Sequence, residues 1–370
     1  MNTIVFDQGI ASGREEQSRL AGQGQPSTIR YSCIAFESTN PAATGRSSSC
    51  SRRHRLSGIA LTLVCVLGSW ANLDAASTPF SRIVVFGDSL SDTGNFYHLT
   101  GGQAPPAPYF EGRFSNGRLW LEYLAEDLGM QVLAEDNYAV AGATTGHLNS
   151  NNGLLGLQYP GLQDEISQFL SSHQDGGADP AALYIIWAGA NDFFVLLQSG
   201  GSPADLVANG VKNLAQAIAR LSQAGARQIL VVNVPDLGLT PFGINSGMHA
   251  QITLLCGAYN QALEATLDDL AVGGIPTIRV DAFERLRQMV SSPVLFGFTN
   301  VTESFLAVGG EPSEFLFWDA VHPTTRGHEV LAVAARNRLL DFFSPRRGTD
   351  MPPASVNGLN GLVNAGKGAP

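Results

Sequence analysis

The stretch "VVFGDSLSDTGN", Val84 to Asn95, decides how this chain is read. A β-branched and aromatic run, Ile83 to Phe86, meets Gly87, Asp88 and Ser89. Residues of the first kind suit a strand; Gly, Asp and Ser end strands and open helices. Two readings of Ser89 follow. It is a capping hydroxyl in a strand–turn–helix junction, or it is a nucleophile presented at the strand's carboxyl end. The rest of the chain separates them.

The pattern of that junction repeats. Strand-like apolar runs are "RIVVFG", "ALYIIWAG" (Ala182–Gly189), "QILVVNV" (Gln228–Val234) and "PTIRVDA" (Pro276–Ala282), with a weaker one around Met130–Leu133. Helical periodicities lie between them. Leu119, Tyr123 and Leu124 share one face; Val207, Val211, Leu214, Ile218 and Leu221 step by three and four; Leu255, Tyr259, Leu263, Leu267 and Leu270 do likewise. A last helix is expected from Thr325 to Leu340. Continuous apolar strands alternating with amphipathic helices predict a mostly parallel sheet covered on both faces. Such sheets bind ligands at the carboxyl ends of their strands. The polar residues placed just after each strand therefore matter most.

Bulk properties narrow the classes. The chain has 370 residues, 44% hydrophobic and 15% charged, enough for a sizeable core. Its net charge is −10, with only two lysines, Lys212 and Lys367. An acidic body argues against nucleic acid as a partner, since phosphate binding rests on Lys and Arg. The cysteines, Cys33, Cys50, Cys65 and Cys256, form no CxxC, and no HExxH occurs, so no metal or cofactor is expected.

The chain divides into four parts. Residues 52–76 read as an export signal: "RRHR", then an apolar run of 13 residues, Leu56 to Gly68, then small residues. Ser69 and Ala71 suit one cleavage site, and Ala75 or Ala76 another. Residues 1–51 precede the signal without clear periodicity; they are expected to be disordered or to lie before the true translation start. Residues 80–343 form the folded domain. The tail, 344–370, is rich in Gly, Pro and Asn and is expected to be disordered. Removal of the signal would leave Cys256 as the one cysteine of the mature domain.

Four segments carry polar residues at strand ends. They are "FGDSLSDTGN" with Ser89, "NYAVAGATTG" (Asn137–Gly146) with Gly142, "GAND" with Asn191 and Asp192, and "FLFWDAVHPTTRGH" with Asp319 and His322. With "RFSNGR" and "NVPDLGLTP", they occur in the order found in the GDSL hydrolases, also called the SGNH hydrolase family. The chain resembles that family from about Arg82 to Leu340, and most resembles the branch of secreted lipases, phospholipases and plant-type GDSL esterases. The fold expected from the resemblance is α/β, a three-layer α/β/α, flavodoxin-like sheet.

The resemblance implies a role for each residue. Ser89 is the nucleophile, His322 the base that takes its proton, and Asp319 the group that orients the imidazole. The oxyanion hole comprises the backbone N–H of Ser89, that of Gly142 and the side-chain amide of Asn191. Each residue also has a bland reading. Asp319 and His322 could cap the last helix, Asn191 and Asp192 could make a turn, and Gly142 could serve packing. Asp92 and Asn95 are read as shaping the first loop. Ser115 and Asn116 are read as starting the helix after them, with a place lining the site as the alternative. Thr144, Thr145 and Gly146 suggest a phosphate loop, but the glycine-rich fingerprint is missing. The ordinary α/β-hydrolase elbow is GxSxG, whereas "GDSLS" has Ser91 at the second glycine.

The expectation is an exported serine esterase or lipase, secreted or periplasmic, acting on acyl esters. Ester or lipid substrates, with transient contact with lipid surfaces, are the partners implied. A carbohydrate O-acetyl esterase and a non-catalytic surface binding module are the alternatives. Relatives of this branch often carry cysteines before "FWD". The segment Asn300–Asp319 here has none, so a less rigid loop is expected there.

Overall fold

Four of the apolar runs become strands of one parallel sheet. They are β1 (Ile83–Gly87), β2 (Leu183–Trp187), β3 (Gln228–Val232) and β4 (Ile278–Val280), in the order β1-β2-β3-β4. Ile83 pairs with Leu183 and Leu183 with Gln228, so β1 to β3 start level; Ile278 pairs with Leu230, so β4 starts later and ends level with β3. This computed structural model describes residues 80–173 and 177–344. The expectations for residues 1–51 and 52–76, and for the tail beyond Ser344, lie outside the described residues.

The strands are buried on both faces, which explains why they read as continuous apolar runs rather than alternating ones. Their side chains still sort by parity. Ile83, Val85, Ile185, Leu230 and Val280 pack with helices Trp120–Asp127, Ala282–Ser291 and Thr325–Phe343. Val84, Phe86, Ile186, Ile229 and Val231 pack with helices Leu162–Ser172, Pro203–Ala224 and His249–Val272. Two cores thus flank one sheet, the three-layer arrangement expected. The periodic residues Leu214, Ile218, Leu221, Tyr259, Leu263 and Leu267 all face the second core. Cys256 is buried among them, and burial pushes its thiol up to about 12.

The weak strand around Met130–Leu133 does not form. Residues there are spent closing the preceding helix, where the Met130 N–H donates to the Ala125 carbonyl at 2.8 Å. The place beside β1 is taken later, by Asn137–Val140. The Tyr138 N–H donates to Val85 and the Val140 N–H to Gly87, at 2.8 and 3.0 Å. This segment makes only an isolated bridge because the Asn137 side chain turns back on the backbone, accepting from the Ala139 N–H and donating to the Ser91 carbonyl.

The cysteine-free segment before "FWD" is braced by other means. β5 (Asn300–Ser304) and β6 (Phe315–Phe317) form a two-stranded parallel sheet. The rings of Phe305 and Trp318 stack 9° from parallel at 5.0 Å, and the Leu306 N–H donates to the Trp318 carbonyl. Aromatic stacking and a short ladder hold the approach to Asp319.

Where the β1 ladder stops, a fully buried carboxyl takes over. Glu165 accepts from the Gly87 N–H at 2.8 Å and from the Val140 N–H at 3.2 Å, tying the strand end to its flanking segment. Replacing Glu165 by Ala strands the buried Gly87 N–H and removes the tie to Val140, whose N–H keeps its bond to the Gly87 carbonyl. Urea unfolding of Glu165→Ala is expected to show a loss of about 2–4 kcal/mol.

Candidate active site

Ser89 sits two residues beyond β1, in a turn built by backbone constraint. Gly87 has φ +149°, and a Cβ there would strike the Trp187 carbonyl of the neighbouring strand. The Asp88 side chain accepts from the Leu90 N–H at 3.0 Å, and its carbonyl accepts from the N–H groups of Ser91 and Asp92. Asp92 takes four backbone donors, from Gly94, Asn95, Phe96 and Ala141, at 2.6–3.0 Å. Asn95 donates to the carbonyls of Asn137 and Ala139. Both therefore shape the loop, as read from sequence. The turn chemistry serves to present the serine.

His322 reaches Ser89 from the other end of the chain. Its Nε2 lies 2.8 Å from the Ser89 Oγ, and its Nδ1 lies 2.7 Å from Asp319 Oδ2. The other Asp319 oxygen accepts from the backbone N–H groups of Val321 and His322, at 2.9 and 2.7 Å. The three-residue step is thus a turn that folds the carboxylate onto the imidazole. Burial pushes Asp319 up, but the adjacent His322 and these donors outweigh it and hold the carboxyl below its usual range. Neither residue caps the last helix. Thr324 does, accepting from the Gly327 N–H. Ser89 and His322 are 9% and 7% exposed, so both are largely buried and each keeps a small accessible surface.

Gly142 and Asn191 close around the same turn. Gly142 has φ +86°, and a Cβ there would collide with the side chains of Asn149 and Asn151. Asn191 stands in the first turn of helix Ala190–Ser199, just past β2. Its Nδ2 donates to the Ala143 carbonyl at 3.1 Å and to Asp88 Oδ2 at 3.3 Å, bridging the Gly142 loop to the Ser89 turn. Its Oδ1 accepts from the Ser150 hydroxyl at 3.1 Å, which sets the amide's orientation. Among the described residues, no hydrogen bond takes up the N–H of Ser89 or of Gly142. Both remain available to an incoming oxygen.

Other expectations change. Ser115 and Asn116 do not start the following helix, whose N-cap is Leu119. Their side chains cross to the last helix instead: Ser115 donates to the Pro323 carbonyl, and Asn116 accepts from the Thr325 N–H. They hold the turn that carries His322. Thr144 donates to the Leu148 carbonyl, and Thr145 gives both its N–H and its hydroxyl to Asp192. This is a clamp between the Gly142 loop and the Asn191 helix, with no phosphate cradle. Sequence reading missed Tyr109, whose hydroxyl donates to Asp319 at 2.8 Å, and Phe114, whose ring lies 5.1 Å from that of His322. It also missed Ser150, although the polar run "NSNN" (Asn149–Asn152) beside a glycine loop was a usable signal.

The arrangement can pass a serine proton to an imidazole, hold the resulting cation against a carboxylate, and offer N–H donors to a developing oxyanion. A parallel α/β sheet with a hydroxyl, an imidazole and a carboxyl linked at its carboxyl edge defines a hydrolase. The comparisons with known proteins make the class specific. The family model "GDSL-like Lipase/Acylhydrolase" matches residues 83–335, and the chain belongs to that family. A phosphatidylcholine-sterol acyltransferase of Aeromonas hydrophila is 31% identical over 74% of this chain and 95% of its own. A secreted effector protein of Salmonella typhimurium is 28% identical over 71% of this chain and 65% of its own. A GDSL esterase/lipase of Arabidopsis thaliana is 26% identical over 69% and 86%.

Two outcomes follow from the geometry. Substituting Gly142→Ala forces the Asn149–Asn151 segment off the loop; kcat on an ester substrate is expected to fall about 100-fold or more while the protein stays folded. The second concerns pH. Burial pushes Asp88 up to about 7 and Asp192 up to about 6. A carboxyl whose folded pKa is raised stabilises the fold at low pH and loses that contribution as pH rises through the folded value. Stability from urea unfolding is therefore expected to decline between about pH 4 and pH 7, with a flatter slope in Asp192→Asn.

Proposed function

We propose that this chain is an exported serine esterase that hydrolyses carboxylic esters of fatty acyl chains through an acyl-enzyme. The observation that carries the reading is the unbroken line Ser89 Oγ–His322–Asp319, with links of 2.8 and 2.7 Å. A serine hydroxyl is a weak nucleophile and needs an adjacent base. His322 Nε2 takes the proton as Ser89 Oγ attacks the ester carbonyl. The carbonyl oxygen becomes an oxyanion facing the N–H groups of Ser89 and Gly142. Asn191 joins them by giving up its longer bond, the one to Asp88. His322 then returns the proton to the departing alcohol. A water, deprotonated by the same imidazole, attacks the acyl-Ser89, and the carboxylic acid leaves.

A lipid acyl group is supported by the surroundings of the Gly142 loop. Ser150, which orients Asn191, lies on a segment whose Leu148, Leu155 and Leu157 are 60%, 48% and 44% exposed. Exposed apolar side chains on the segment that follows the Gly142 loop suit contact with a hydrocarbon chain. The relative described as a phosphatidylcholine-sterol acyltransferase supports acyl-lipid esters as the class. The export signal read at residues 52–76 and the relative described as a secreted effector support an extracytoplasmic location.

The test is a panel of p-nitrophenyl acyl esters, phospholipid and acetylated xylan, run on wild type and Ser89→Ala with fluorophosphonate labelling. Wild type is expected to label and to favour medium or long acyl chains; Ser89→Ala is expected to lose labelling and at least about 10³-fold of activity. Near-normal turnover by a folded Ser89→Ala protein would end the reading. A preference for acetylated xylan would replace the lipid substrate with a carbohydrate ester.

A further inference from the structure

Asp319 has one contact that lies outside its own turn. Its Oδ2, the oxygen bonded to His322 Nδ1, also accepts from the Tyr109 hydroxyl at 2.8 Å. With the Val321 and His322 N–H groups on Oδ1, all four lone-pair directions of the carboxylate are filled. Tyr109 is the one member of this set that comes from a distant part of the chain, 210 positions away. Its ring is held by edge contacts with Trp318 and Phe114 at 6.1 and 5.8 Å, and Phe114 in turn covers the His322 ring. The phenol sits where it can act only as a donor. Burial, and then the Asp319 charge, push its ionisation well above the usual phenol range.

We propose that Tyr109 is a positioning residue for the Ser89–His322–Asp319 line: its hydroxyl locks the Asp319 carboxylate in the plane of the imidazole and draws charge from the oxygen that faces His322. The proposal rests on the serine esterase reading. Its two parts have separate signatures. Without the hydroxyl, Asp319 gains freedom to turn, so His322 is less often aligned with Ser89 and turnover falls. Asp319 Oδ2 also regains charge, so the imidazole holds its proton more tightly and the acid limb moves to higher pH.

Other groups face His322. Asp88 acts on it from the end of β1, and His328, fully buried on the last helix, feels its charge. Substitution at Tyr109 touches neither, so a displaced acid limb reports the Asp319 link. Packing alone does not explain such a displacement, because phenylalanine keeps the ring contacts.

The test is Tyr109→Phe, assayed for kcat, KM and the pH dependence of kcat/KM on a soluble acyl ester, with thermal unfolding as the check on folding. The expected result is a fall in kcat of about tenfold, KM within about twofold, and an acid limb displaced upward by about half a pH unit. Unchanged kcat, or reduced kcat with the acid limb in place, would overturn the proposal. A second measurement places Tyr109→Phe in an Asp319→Asn background and follows the fluorophosphonate labelling rate. If Tyr109 acts through Asp319, the added substitution changes the rate by less than about twofold; a full tenfold effect there would also overturn it. Should Ser89→Ala remain active, the esterase reading itself fails. An inactive Ser89→Ala with a normal Tyr109→Phe removes only this inference.

Discussion

The site depends on buried carboxyl groups that take up backbone N–H donors where the sheet stops. At the end of β1 the chain leaves its ladder, yet its N–H groups remain inside the protein, where an unpaired donor is costly. Glu165 takes those of Gly87 and Val140, Asp88 takes that of Leu90, and Asp92 takes four more. This leaves the N–H of Ser89 and of Gly142 unspent. The two donors proposed to meet the oxyanion are those that the buried acids do not absorb. The cost falls on the acids: burial raises Asp88, Asp92 and Glu165, against the donors that lower them.

That role also changes the meaning of the acidic composition. In the sequence, 32 acidic residues against 22 basic ones speak only about partners. In the fold, Asp88, Asp92, Asp136, Glu165 and Asp236 are almost fully buried. Asp136 is paired with Arg82, and Asp236 with Arg287 and Thr253. Several of the acidic side chains are therefore internal joinery between loops.

Ser89, Gly142, Asn191, Asp319 and His322 are legible in the sequence because each lies close after a strand-like run or just before a helix, in a fixed order. The sheet is legible for the same reason, since its strands are short apolar runs that end in polar or small residues: Gly87 closes β1, Ala188 and Gly189 follow β2, Asn233 follows β3 and Asp281 follows β4. Tyr109 is not legible. It lies in the Pro-rich stretch "GGQAPPAPYFEGR", which has no period, and its partner is 210 positions away. Ser115 and Asn116 mislead because a serine–asparagine pair before an amphipathic run looks like a cap; here their partners are Pro323 and Thr325. Met130–Leu133 misleads because short apolar runs cannot be told from a helix terminus by periodicity. Long-range polar contacts leave no local trace, whereas strand ends do.

The 2.8 Å contact between Ser89 and His322 joins positions 233 residues apart. The first strand supplies one end and the turn before the last helix supplies the other. During synthesis, Ser89 leaves the ribosome long before His322. A chain interrupted anywhere ahead of Asp319 carries Ser89 and the Gly142 loop but lacks the imidazole that the Ser89 hydroxyl meets. The Ser89–His322 contact therefore waits until all four strands of the main sheet have been made, because the order of residues along the chain places the imidazole after them.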